Sequence, residues 1–91
     1  MNEKEFQGNV VELCHYLGYL TYHTFDSRRS EPGWPDLVII GRNRALFREL
    51  KTRKGKLTAT QLKWGGAMIA AGLDWSVWYP DQMEQIKDEL T

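Results

Sequence analysis

Two carboxylates and a lysine stand at the open end of one predicted β-hairpin. Asp36 begins an apolar run, and Glu49 and Lys51 end the next one along the chain. If the turn is centred on Arg42 and Asn43, paired positions sum to 85, so Asp36 lies opposite Glu49. Directly opposed side chains are about 4.5–5.5 Å apart at Cβ, and Glu49 and Lys51, two residues apart, point to the same face. The hairpin therefore predicts three ionisable groups at one place.

Two carboxylates at this distance repel each other, and a divalent cation bound between them removes the repulsion. Oxygen ligands select a hard metal, so the pair predicts Mg²⁺ or Mn²⁺. Such a cation activates water and shields a phosphate, while a lysine beside it stabilises negative charge in the transition state. The alternative is an ordinary ion pair of Lys51 with a carboxylate on a solvated strand. We favour the metal site, because the flanking residues are apolar and buried charges without a partner are costly.

The elements that position these residues follow from hydrophobic periodicity and from the turn residues. An amphipathic helix is predicted over 3–17, ending at Gly18, and a second helix over 58–72. Strands are predicted over 19–25, 36–40, 45–51 and 73–79, with a loop over 26–35. Asp81 and Glu84 form a capping-box pattern that opens a short final helix. The order α-β-β-β-α-β-α predicts one α/β domain over residues 1–91 with a four-stranded sheet.

The motifs around these residues resemble a known nuclease superfamily. Pro35-Asp36, a hairpin, and then Glu49-Leu50-Lys51 is similar to the signature of the PD-(D/E)XK nucleases. Gly55-Lys56-Leu57-Thr58 followed by Gln61 and Trp64 resembles the VRR-NUC branch, which is found in phage and in replication and repair nucleases. The resemblance covers nearly the whole chain. It implies a restriction-endonuclease-like core with a mixed four-stranded sheet in α-β-β-β-α-β order, and a Mg²⁺- or Mn²⁺-dependent endodeoxyribonuclease.

The resemblance also implies a role for each residue of the site. Asp36, Glu49 and the backbone carbonyl of Leu50 would hold the cation, with Lys51 as a catalytic residue. Gln61 would orient a water or the lysine, although Thr58-x-x-Gln61 is also a capping box and both roles can hold. Glu3 either completes the metal site or is an acid that favours a helix start. Gln7, on the same helix, is a second candidate.

A zero net charge conceals a basic centre. From Arg28 to Lys63 ten basic residues oppose three acidic ones, a net charge of +7, while the two ends of the chain carry −3 and −4. This layout suits a polyanion bound on one face. The loops before Asp36 and after Lys51 flank the same end of the hairpin and are predicted to contact DNA phosphates; ordinary solubilising charge is the alternative. The predicted DNA-binding residues are Arg28, Arg29, Arg53, Lys54 and Lys56.

Composition excludes several other classes of protein. Cys14 is the single cysteine, so no internal disulfide can form, and its helical spacing from Val10 and Leu17 predicts a core thiol. His15 and His23 have no partner at metal-ligand spacing, so zinc is not predicted. No apolar run approaches the roughly 20 residues that span a membrane, and the first residues do not form a signal peptide. A location in the cytoplasm of a bacterium or a phage-infected cell is expected.

We therefore expect a metal-dependent nuclease acting on DNA. Branched DNA in replication, repair or recombination is what the resemblance implies for the substrate. A homodimer is expected from the thin core of a short chain and from the abundance of aromatic residues, which interfaces favour. Two alternatives stay open: an RNA-directed nuclease with the same site, and a non-catalytic DNA-binding module on the same fold.

Overall fold

The predicted order of helices and strands is confirmed in a computed structural model, which describes residues 1–24 and 31–91. Phe25, placed at the end of the first predicted strand, and the loop residues 26–30 lie outside the described residues. The elements are α1 (Glu3–Tyr16), β1 (Leu20–His23), β2 (Leu37–Gly41), β3 (Arg44–Leu50), α2 (Ala59–Ala70), β4 (Asp74–Trp78), a 3₁₀ turn (Pro80–Gln82) and α3 (Met83–Leu90).

The four strands form one mixed sheet in the order β1-β2-β3-β4. The first two pairings are antiparallel, whereas β3 and β4 are parallel and are joined by α2 as a crossover helix. The predicted hairpin register is confirmed, because Ile40 pairs with Ala45 and Leu37 with Arg48. Arg42 and Asn43 form the turn with φ of 50° and 62°, the backbone that a two-residue hairpin turn of type I′ requires.

The two faces of the sheet are covered by different helices. Apolar residues of α1, α3 and one sheet face form the main core: Phe6, Val10, Cys14, Leu37, Ile39, Leu46, Leu50, Trp78, Ile86 and Leu90. Alternate residues of a strand point to opposite faces, so Trp75 points away from Trp78. There Trp75 meets α2 so closely that a Cβ on Gly65 would lie 2.5 Å from its ring. The sheet is thus packed between α1 and α3 on one side and α2 on the other.

The capping box predicted at Asp81 and Glu84 is wrong. Pro80 begins a 3₁₀ turn, which suits a residue without an N–H to donate, and α3 follows with Gln82 as its N-cap and no side-chain cap bond. The side chain of Gln82 instead accepts from the backbone N–H of Tyr79 at 3.1 Å. Asp81 pairs with Arg53.

The prediction that Cys14 is a core thiol is confirmed. Its side chain is fully buried, and burial raises the pKa of the thiol from 9.0 to about 11. The group is therefore protonated and unreactive near neutral pH. Among the described residues, none of the helices has the length and apolar character that a membrane crossing needs.

Candidate active site

Asp36 and Glu49 come together at the open end of the β2–β3 hairpin. Asp36 directly precedes β2, and Glu49 is the last but one residue of β3. Extending the observed register by one position places them opposite each other. The carboxylate Oδ2 of Asp36 also accepts a hydrogen bond from the backbone N–H of Leu50 at 2.8 Å. This bond ties the carboxylate of Asp36 to the end of β3, beside Glu49.

Glu49 is a fully buried carboxyl group with one unsatisfied oxygen. Its exposed fraction is 0%, and its Oε1 accepts from Nε2 of Gln61 at 3.2 Å. Its Oε2 is buried and has no hydrogen-bond donor within residues 1–24 and 31–91. Burial and the neighbouring Asp36 raise the pKa of Glu49 from 4.5 to about 9, the charge of Glu3 adds to the rise, and Lys51 opposes it. Without a cation the carboxyl group is therefore protonated at neutral pH.

Lys51 lies just beyond β3, on the same side as Glu49. Its backbone N–H donates to the carbonyl of Trp78 at 3.1 Å, which continues the β3–β4 pairing by one position. Its side chain is half-buried, and its positive charge lowers the pKa of Glu49. The ammonium group is thus close enough to influence the charge of Glu49. Its backbone is held in place by the hydrogen bond to Trp78.

Gln61 lies in the first turn of α2 and has two roles at once. With Thr58 it forms a capping box: its backbone N–H donates to Thr58 Oγ1 at 3.2 Å, and its Oε1 accepts from the Thr58 backbone N–H at 2.9 Å. Its Nε2 donates to Glu49. The capping box predicted at Thr58 and Gln61 is confirmed, and the same side chain contacts Glu49; the catalytic role of Gln61 stays a prediction.

Gly33, which lies three residues before Asp36, is pressed against the start of α2. Gly33 has φ of +90°, and a Cβ at this position would lie 2.3 Å from the carbonyl oxygen of Thr60. Only glycine combines this backbone conformation with such a close approach. The contact brings Asp36 to the end of α2 that carries Gln61, beside a cleft of about 160 Å³. Its lining includes Thr24, Glu31, Pro32, Gly33, Trp34, Asp36 and Gln61.

Three features near the carboxylates were missed in the sequence. The Leu50 N–H that binds Asp36 could have been found by extending the hairpin register to its end. Thr24, whose N–H donates to the Asp36 carbonyl at 3.4 Å, carries no motif that marks it. Glu31 was counted only as a charge, although it lines the cleft.

Glu3 and Gln7 lie on α1, and their proposed roles stay predictions. Glu3 is exposed, but its charge reaches the site because it contributes to the raised pKa of Glu49. It also lines a cavity of about 640 Å³ with Arg53 and Lys54. No three His, Cys, Asp or Glu side chains in the described part of the chain converge as a metal cluster. Asp36 and Glu49 are the two carboxyl groups that the hairpin register brings together.

This pair fits a hard divalent cation. Both groups offer oxygen atoms, which Mg²⁺ and Mn²⁺ prefer. Glu49 Oε2 is buried with no donor to satisfy it in the described ranges, and a buried polar atom in that state is costly unless a ligand binds it. Burial and the neighbouring Asp36 raise the pKa of Glu49, so a cation bound beside it would favour the ionised form.

The basic stretch does not form one surface, which corrects the interpretation of the charge pattern. Arg42 donates to the carbonyls of Leu90 and Thr91, and Arg44 donates to the carbonyl of Glu89. Both arginines therefore cap the C-terminal end of α3, where positive charge is favoured. Arg48 is fully buried and paired with Asp74 and Glu89. These three arginines have structural partners far along the chain, which the charge pattern alone did not reveal.

The loop after Lys51 carries the exposed residues Arg53, Lys54 and Lys56. The guanidinium of Arg53 lies 4.0 Å above the ring of Tyr79 and 3.1 Å from the Asp81 carboxylate. An exposed ion pair of this kind contributes little stability, and the role of Arg53 in DNA binding stays a prediction. The other two predicted DNA contacts, Arg28 and Arg29, lie outside the described residues.

This topology, with a Pro-Asp before one strand and Glu-x-Lys ending the next, is that of the PD-(D/E)XK nuclease fold. A solved structure described as a "VRR_NUC domain" is similar with a TM-score of 0.76, 25% sequence identity and 94% coverage of each chain. Hjc, a Holliday junction resolvase from Archaeoglobus fulgidus, is similar with a TM-score of 0.64 and 19% identity, over 84% of this chain and 66% of that one. No family model and no curated protein matches the sequence.

The first of these likenesses confirms the resemblance to the VRR-NUC branch, and the second shows the same fold in a resolvase. The chain has the VRR-NUC fold, with its mixed four-stranded sheet and flanking helices.

Proposed function

We propose that this chain is a divalent-metal-dependent nuclease that hydrolyses phosphodiester bonds of DNA, with Mg²⁺ or Mn²⁺ as its cofactor. The observation that carries the proposal is the buried carboxylate pair. Glu49 is fully buried beside Asp36, and its Oε2 has no hydrogen-bond partner among the described residues. The positive charge of Lys51 lowers the pKa of Glu49. The likeness to a VRR_NUC domain and to a Holliday junction resolvase supports the same chemistry.

Asp36, Glu49 and the backbone carbonyl of Leu50 would hold the cation. The Leu50 N–H points to Asp36, and in an antiparallel ladder the N–H and C=O of one residue point to the same neighbour. The Leu50 carbonyl is therefore expected on the Asp36 side as well. When bound, the cation shields the phosphate charge and lowers the pKa of water. Glu3 is our candidate for completing the site from α1.

The protein's own groups have separate tasks in this proposal. Lys51 stabilises the negative charge that develops on the phosphate, or holds the attacking water. Gln61 fixes Glu49 through its amide. Two groups of basic residues are proposed to bind the DNA backbone. They are Arg53, Lys54 and Lys56, which follow Lys51 in the sequence, and Arg28 and Arg29, which precede Asp36.

We propose branched DNA as the substrate, in replication, repair or recombination, and a homodimer as the active form. The activity named for Hjc supports the substrate class. Large apolar side chains exposed on and near β1 support a second copy of the chain: Tyr16, Leu20, Tyr22 and Ile40. Two copies would supply one active site to each of two strands.

The proposal is tested by cleavage assays on linear duplex, flap and four-way DNA and on RNA, with Mg²⁺, Mn²⁺ or EDTA. Lys51→Met is expected to lower the cleavage rate by about 10²–10³-fold or more, because it removes charge stabilisation from the transition state. Lys87→Met, an exposed lysine of α3, is the matched control and should cleave normally. Sedimentation of the same wild-type protein should give twice the monomer mass of 10.6 kDa.

Several results would contradict parts of this proposal. Near wild-type turnover in a folded Lys51→Met protein would remove Lys51 from the mechanism. Cleavage of RNA alone would reassign the substrate. DNA binding without cleavage under any metal would identify a non-catalytic binding module.

A further inference from the structure

The side-chain amide of Gln61 is held in one orientation by the start of α2. The backbone N–H of Thr58 needs an acceptor, and Gln61 Oε1 provides it at 2.9 Å. The amide nitrogen then faces Glu49 Oε1 at 3.2 Å. The reversed amide would set N–H against N–H at Thr58, which is repulsive, and would remove the amide donor from Glu49.

This orientation restricts what Gln61 offers to the site. An amide oxygen can bind a cation or accept a proton, whereas an amide nitrogen only donates. Because its oxygen is turned to Thr58, Gln61 presents only N–H donors to the carboxylate pair. It therefore neither binds a cation through its oxygen nor accepts a proton from water or from Lys51. Its contribution is made through Glu49.

The bond from Gln61 also distinguishes the two oxygens of Glu49. Oε1 is occupied by the amide donor, while Oε2 is the buried oxygen without a donor in the described part of the chain. A carboxylate held at one oxygen has its rotation fixed, so the second oxygen keeps one direction. Outer-shell bonds of this kind orient metal ligands.

We propose that Thr58 is a positioning residue of the metal site, acting through Gln61 to present Glu49 Oε2 to the cation. The proposal rests on the proposed function, because it concerns the same site. Thr58 is exposed and lies outside the carboxylate pair. It contacts Gln61 through two of its own groups, the side-chain hydroxyl and the backbone N–H. Its hydroxyl accepts from the Gln61 backbone N–H at 3.2 Å, and its own backbone N–H donates to the Gln61 amide oxygen at 2.9 Å. Loss of the hydroxyl loosens the first turn of α2 and frees the Gln61 rotamers.

The test is calorimetric titration with Mn²⁺ in the absence of DNA. Thr58→Ala is expected to weaken Mn²⁺ binding about 10-fold, the lower end of the effect of outer-shell partners. Thr58→Ser retains the hydroxyl and should bind like wild type. Cys14→Ala is the matched control for stability, because Cys14 is buried in the core on the opposite face of the sheet, and it should leave the affinity unchanged.

A double-mutant cycle separates this role from simple helix capping. In a Gln61→Ala background, Thr58→Ala should still lower the melting temperature but should have no further effect on Mn²⁺ affinity, because the connecting amide is absent. In metal-free protein, NMR should show the side-chain NH₂ of Gln61 protected from hydrogen exchange in wild type and Thr58→Ser, and less protected in Thr58→Ala.

An unchanged Mn²⁺ affinity in Thr58→Ala would overturn the proposal, as would an equal loss in the Gln61→Ala background. Both outcomes leave the cleavage proposal intact when wild type cuts DNA. A wild-type protein that binds Mn²⁺ with the expected Thr58 dependence but cleaves no DNA would contradict the proposed activity and support the role of Thr58.

Discussion

Arg48 and Glu49 are consecutive residues of β3, both fully buried, with opposite surroundings. Arg48 faces the side of α3, where Asp74 and Glu89 pair with it and Trp78 lies 4.9 Å below its guanidinium. Only its Nε lacks an acceptor in the described residues. Glu49 faces the side of α2, where one oxygen has a donor and the other has none among the described residues.

This difference distinguishes a buried charged residue that stabilises the fold from one that belongs to a candidate binding site. Arg48 is neutralised by carboxylates of its own chain and stabilises the fold. Glu49 lies beside another carboxylate, and burial and Asp36 together raise its pKa to about 9. A buried acid whose protein neighbours oppose its ionisation takes up a proton, or is ionised when a cation binds beside it, and such a group marks a candidate functional site. The first arrangement is structural, and the second supports a binding site.

The largest effect that sharpens this comparison is expected from Glu49→Gln. Cleavage should fall by at least about 100-fold, since even an outer-shell partner of a metal contributes 10–100-fold. The metal-free protein should melt at or above the wild-type temperature, because Gln keeps the shape and removes an acid that disfavours its own ionisation. Cleavage assays and thermal melting in EDTA give the two values. A lower melting temperature in EDTA would make Glu49 a structural residue.

Arg48→Met should produce the opposite pattern, with a large loss of stability. Breaking a buried ion pair costs about 3–5 kcal/mol; because the Asp74 and Glu89 side chains are 54% and 40% exposed, we expect about 3 kcal/mol. The free energy of unfolding is measured by urea titration. Arg53→Met is the matched control, because its pair with Asp81 is exposed and is worth less than about 1 kcal/mol. Equal losses in the two variants would contradict the contrast between buried and exposed pairs.

The third prediction concerns the pH dependence of stability. The pKa of Glu49 is raised by folding from 4.5 to about 9, so its protonation favours the folded state below pH 4.5. That contribution to stability is lost as pH rises from about 4.5 through about 9. As pH rises through this window, the melting temperature of metal-free wild type should therefore fall relative to that of Glu49→Gln. Saturating Mn²⁺ should reduce the difference between the two melting temperatures. Parallel melting curves for the two proteins across this window would refute a raised pKa.

Local patterns were sufficient to predict the open end of the hairpin. Two apolar runs on either side of Arg42 and Asn43 specify the register, because a shift by one residue would turn the whole apolar face outward. The register then brings Asp36 and Glu49 together. The Thr58–Gln61 capping box was equally visible, since it depends on residues three apart.

What only the tertiary structure decided is which charges are satisfied by distant parts of the chain. Glu89 meets Arg48 from 41 positions away, and Arg42 reaches the carbonyl of Leu90 from 48 positions away. Similarly, Pro80 and the Arg53 pair displaced the capping box expected at Asp81. Helix periods and strand pairing are set by neighbouring residues, and the sequence therefore determined them. The partner of a buried charge is set by how α3 and α2 pack on the two faces of the sheet, and that packing is a property of the whole fold.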